Sequence, residues 1–158
     1  MPVRIDEFSV KPLCLESYSN DIKLGVATGF VVEKDDKHYL TTNWHVATCR
    51  DPYDDRILSQ TGLTPNLLKV WFHGAQLGTW LQKEISLYDE NDNAIWLEHS
   101  RGNEIDVVAI PFKITEDMKI YSMDLKLADF DLMLYPSEAV SIIGYPLGVN
   151  FRFGKRGI

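Results

Sequence analysis

Cysteine is scarce: Cys14 and Cys49 are the only two in 158 residues, too few for a disulfide framework. Read as free thiols, they favour a reducing compartment and hence the cytoplasm. A periplasmic or secreted protein whose signal has been removed is the alternative. Basic residues are also short, 16 against 23 acidic ones, for a formal charge of −7. The only compact basic cluster is Arg152 to Arg156, so no nucleic-acid partner is expected, phosphate binding needing clustered Lys and Arg. No apolar run approaches the length of a membrane span, and no membrane partner is expected either. The opening stretch MPVRIDEFSVKPL is broken by Asp6, Glu7 and Lys11, which excludes the apolar core of a secretory signal.

What is present is ordinary globular composition, 45% hydrophobic and 25% charged, in a length that suits one domain or one domain and part of another. There is no internal repeat, heptad pattern or low-complexity tract. Short alternating segments separated by polar turns predict an antiparallel all-β fold. GVATGFVVE (25–33) turns through KDDK (34–37) into HYLTTN (38–43). NLLKVWFH (66–73) and TWLQKEISLY (79–88) follow, with Gly74 and Gly78 at the bend, then AIWLEH (94–99) and IDVVAIPF (105–112). That is about six strands between Leu24 and Phe112, enough to close a small barrel without an open edge. Residues 52–64 read as an irregular loop.

The reading divides the chain into an N-terminal extension (1–23), a first β-barrel (24–113), a connector (114–138) and a further strand opening at 139–144 within the segment 139–158. That strand has no returning partner, so the chain reads as truncated. Self-association through the exposed strand is a consequence to expect.

Within this frame YLTTNWHVATCR (39–50) carries His45 at the point where a strand gives way to a short turn. Asp106, 61 residues later, heads an apolar strand. An imidazole paired with a buried carboxylate is an acid–base device: the carboxylate fixes the tautomer and stabilises the ring once it is charged. A structural histidine and a strand-entry aspartate bonding local backbone are the plain alternatives.

The pattern resembles trypsin-like serine peptidases of the chymotrypsin fold, in their bacterial trypsin-like and HtrA-like branch. Thr28-Gly29-Phe30 is similar to the strand that opens the first barrel. Thr42-Asn43-Trp44-His45-Val46 is similar to the segment bearing the catalytic histidine. Asp106-Val107-Val108-Ala109-Ile110 is similar to the strand bearing the catalytic aspartate, and Ile143-Gly144-Tyr145-Pro146-Leu147-Gly148 to the strand that opens the second barrel. The resemblance spans roughly residues 25–158. It implies a six-stranded antiparallel Greek-key first barrel plus the start of an incomplete second barrel. It implies an endopeptidase lineage acting on polypeptide substrate, with His45 as general base and Asp106 as orienting carboxylate.

The family's nucleophile stands in a Gly-x-Ser-Gly loop of the second barrel, whose backbone N–H groups build the oxyanion hole. Ser9, Ser17, Ser19, Ser59, Ser86, Ser100, Ser122, Ser137 and Ser141 are the serines here, and none precedes a glycine. The serine is therefore expected outside these residues, and the 158-residue chain alone is expected to be inactive. A non-catalytic barrel module that binds a protein partner is the competing reading.

No cofactor or metal is expected. His38 and His73 are too far apart in sequence to read as ligands, and His99 reads as a surface histidine at a strand end. DENDN (89–93) has calcium-loop alternation but no glycine at the sixth position, and reads as a hairpin turn. Trp44 either narrows the cleft or packs on the barrel.

Overall fold

The computed structural model describes residues 6–127, 133, 135–137, 139 and 141–145. Its strands are β1 (Leu13–Ser19), β2 (Ile22–Lys34), β3 (Lys37–Thr42), β4 (Leu67–Gly74), β5 (Trp80–Ser86), β6 (Leu97–Glu98), β7 (Val108–Phe112) and β8 (Met118–Lys119). One α-helix occurs among the described residues, α1 (Trp44–Thr48), directly after β3. All strand pairs are antiparallel, in the order β5-β4-β1-β2-β3-β7-β6, with β8 on β4. The all-β expectation is met.

The β2–β3 hairpin follows from its turn residues. Lys34 pairs with Lys37, so Asp35 and Asp36 form a two-residue loop, with φ of 51° and 57°. Positive φ at both positions is the type I′ geometry, whose twist matches that of the flanking strands, and Asp tolerates it. β2 is shared between two partners: Ile22–Gly29 pairs with β1 and Phe30–Lys34 with β3. The changeover falls at Gly29, where a Cβ would stand 2.8 Å from Leu15 Cδ1 and 3.0 Å from the Thr41 carbonyl oxygen. Only glycine lets the three strands approach this closely.

The sheet curls round its own core. Phe72 of β4 stacks on Phe112 of β7 with ring centroids 5.3 Å apart. Four strand spacings separate those positions along the sheet, roughly 19 Å if it were flat. Leu15, Val31, Leu40, Leu68, Val70, Phe72, Leu87, Val108 and Ile110 are fully buried in the resulting core, and α1 adds Trp44 and Ala47.

The described residues differ from the sequence reading at four places. The N-terminal extension drawn over 1–23 contains β1, a strand central to the sheet. Its inward positions are Leu13, Leu15 and Ser17, and two leucines and a serine make a weak alternation signal. The strand over 94–99 shrinks to Leu97–Glu98, preceded by a single bridge between Tyr88 and Ala94. The connector 114–138 supplies β8 and, at Met123, a parallel bridge to Val32. Among the described residues of 139–145 no strand forms, and Ile142 is 91% exposed. Pro146, Leu147, Gly148 and the basic cluster lie outside the described residues.

Candidate active site

β3 ends at Thr42, whose hydroxyl donates to the Thr28 carbonyl (2.9 Å), and the chain turns through Asn43 into α1. At five residues α1 is too short to be stable alone. Two things hold it: the burial of Trp44 and Ala47, and the way its first turn is capped. Asn43 occupies the N-cap position with extended backbone, yet its side chain makes no cap hydrogen bond. The cap comes from Asp106, whose Oδ1 accepts the backbone N–H of His45 at 2.9 Å. The Asn43 amide instead donates to Asp106, 3.1 Å to Oδ2 and 3.0 Å to the backbone carbonyl.

The second contact between the two sequence-predicted residues is the chemical one. His45 Nδ1 lies 2.7 Å from Asp106 Oδ2. A carboxylate can only accept, so the proton belongs on Nδ1 and the lone pair on Nε2. Among the described residues Nε2 has no partner. His45 lines an open groove of about 390 Å³ with Asn43, Val46, Cys49, Leu58, Ser59, Tyr145 and the β2 residues Leu24–Thr28. Both oxygens of Asp106 are thus engaged by His45, and Asn43 braces the second.

The sequence reading asked for a carboxylate both hydrogen-bonded and buried. The first holds. The second holds in part, the Asp106 side chain being 30% exposed and that of His45 40%. The segment carrying Tyr145 reaches the same place, its backbone N–H donating to Thr28 Oγ1 at 2.7 Å. Burial, and then the neighbouring Cys14, push the Tyr145 phenol up from its ordinary value. Burial, followed by the Glu16 carboxylate, raises the Cys14 thiol, so it rests protonated.

The remaining candidates are occupied locally. Trp44 packs on the barrel: its ring is buried and its indole N–H donates to Glu98. His99 accepts the Arg101 backbone N–H, and His38 faces Glu33 at 3.4 Å. His73 is buried, bonds the Val10 carbonyl at 2.9 Å and lies against Trp80. Asp89 of the DENDN turn accepts N–H groups from the Asn93 backbone and side chain and then from the Asn91 backbone, bonds that hold its carboxyl below the usual range. Both cysteines are free. Among the described residues no three His, Cys, Asp or Glu side chains are grouped to hold a metal ion. No helix of the described residues is long and apolar enough to cross a membrane.

The roles of Asn43 and Glu98 were not read from sequence. Asn43 was visible as part of the Thr-Asn-x-His pattern, but an asparagine before a short helix signals a cap, and here that signal points to the wrong acceptor. Glu98 carried no signal at all.

Comparison with protein-family models, with curated proteins and with solved structures finds no match to this chain.

Proposed function

We propose that this chain carries the acid–base half of a trypsin-like serine endopeptidase. The observation that supports the reading most is the 2.7 Å contact between His45 Nδ1 and Asp106 Oδ2, with Nε2 left unpartnered beside a groove. On this reading the eight-stranded sheet is a chymotrypsin-like Greek-key first barrel, and the segment through Ile143-Gly144-Tyr145 begins the second. His45 Nε2 takes the proton of a serine hydroxyl as its oxygen attacks the substrate carbonyl carbon. The imidazolium, stabilised by Asp106, then gives that proton to the leaving amine, and water releases the acyl group by the same steps. Asp106 orients and stabilises without itself taking the proton.

The serine is proposed to come from outside these residues. Ser17 and Ser59 both line the groove, but neither stands before a glycine. Ser59 spends its hydroxyl on the Leu63 carbonyl at 2.7 Å. The cheapest test is the coding sequence beyond Ile158: a Gly-x-Ser-Gly stretch within about a hundred residues, the usual scale of a domain, is expected. An open frame of that length without one would remove the peptidase reading. A fluorophosphonate probe should leave the 158-residue chain unlabelled. In a longer chain bearing that serine, Asp106→Asn is expected to lower kcat by about 10⁴-fold.

A second reading has its own observation. Beyond the end of β3, residues Gly25–Ala27 are paired with β1 and, among the described residues, with no strand on the other side, and they line the groove. An unpaired strand edge beside a groove suits a module that binds an extended segment by strand addition. A stable monomer or defined dimer of this chain that labels with no probe, and whose gene lacks the serine, would favour it.

A further inference from the structure

The indole N–H groups of Trp44 and Trp96 converge on one atom, Glu98 Oε1, at 3.0 and 2.8 Å. Trp44 opens α1 and directly precedes His45, and its ring is 8% exposed. Glu98 lies in β6 opposite Val108 of β7, on the strand that Asp106 leads into. A single carboxylate oxygen therefore ties the helix bearing the imidazole to the ladder bearing the acid. Glu98 makes no ion pair with Lys or Arg among the described residues, so the two indoles are its whole engagement there.

We propose that Glu98 is a positioning residue for the His45–Asp106 pair, acting through Trp44. The two contacts of Asp106 with His45, one to backbone and one to the ring, demand that α1 keep both its distance and its rotation relative to the start of β7. Asp106 and Asn43 hold one side of the helix start. The Trp44 indole extends from that start, and Glu98 fixes its far end, so the helix is held at two points and cannot pivot about Asn43. Glu98 itself is exposed, so without it the Trp44 indole N–H is left to water, and the helix loses its second fixed point. Trp96 shares the load from β6's own approach, and its ring meets Tyr88 edge-on at 5.5 Å.

This role rests on reading the His45–Asp106 pair as working machinery, and its test leaves peptide hydrolysis out, so the two can fail separately. The measurement is the ratio of Nδ1–H to Nε2–H tautomers of His45, from ring nitrogen chemical shifts in the nitrogen-15-labelled 158-residue chain at alkaline pH. The His45 signals are assigned by their loss in His45→Ala. In Glu98→Ala the ratio is expected to fall about ten-fold, the factor for losing one ordinary coupled hydrogen bond. Glu98→Gln keeps an oxygen acceptor and should restore the wild-type ratio. Trp44→Phe removes the indole donor along with part of the ring and should repeat the Glu98→Ala result, which keeps the inference testable if Glu98→Ala does not melt cooperatively. A cooperatively folded Glu98→Ala or Trp44→Phe chain with an unchanged tautomer ratio overturns the proposal.

Discussion

Asn43 shows how one side chain is diverted from a local task to a distant one. At the head of a helix an asparagine ordinarily accepts a backbone N–H two or three residues on. Here it donates to a carboxylate 63 residues away, and that carboxylate performs the capping. Asn43→Ala is therefore expected to cost about 1 kcal/mol, the net worth of a typical hydrogen bond, in urea unfolding. A loss near zero would mean that His45 alone holds the acid. His73 makes a different residue-scale prediction. Burial, partly opposed by the bond to the Val10 carbonyl, lowers its pKa below the ordinary histidine value. The unfolded chain then binds more protons than the folded one in that interval, so stability rises with pH there. The His73 contribution is fully present above about pH 7.5, and it falls as pH drops through the unfolded value of about 6.5. It levels off only below the depressed folded value. Melting of wild type and His73→Gln at pH 8 and pH 5 should show a smaller drop in the variant, since glutamine can bond Val10 and does not titrate. Equal drops would mean that the slope belongs to other groups.

At the scale of elements, what could be read from sequence followed the strength of local signals. The β2–β3 hairpin, β4, β5 and β7 have either clear alternation or a turn whose chemistry fixes the loop, and they stand where their patterns put them. β1 was lost because its third inward position is Ser17, and β6 was drawn too long because its short ladder is set by pairing with β7 rather than by its own residues. The His45–Asp106 pair was legible for the opposite reason: both residues sit in short patterns of fixed order. Their distance and the hydrogen bonds around them were not legible, because these depend on strands far apart in sequence. Gly29 is where the element scale is most exposed to mutation. Adding a Cβ there forces Leu15 and the Thr41 carbonyl apart, and the Leu40 side chain at 3.2 Å leaves no room to yield. Gly29→Ala should destabilise the fold by about 1–3 kcal/mol, the range for overpacked sites. The same change at Gly25, where a Cβ meets only Ser17 Oγ at 3.6 Å, should be near neutral. Comparable losses at both would show that backbone freedom, not crowding, decides.

For the molecule as a whole, the curled sheet and the His45–Asp106 pair share their fastenings. Asp106 ties the approach to β7 against the helix through a backbone N–H that any residue at position 45 would offer, whereas the imidazole adds only the second contact. The two partners are therefore unequal in what they owe to folding. Asp106→Ala strips α1 of its cap and should lose roughly 2 kcal/mol more stability than His45→Ala, for the cap plus the bond from Asn43 to the carboxylate, both of which His45→Ala keeps. Urea melts of the two variants decide the point. The asymmetry also tells how such a chain would age. A chain with no use for the ring would be free to discard it long before the acid, so an aspartate standing alone at 106 would speak for architecture only.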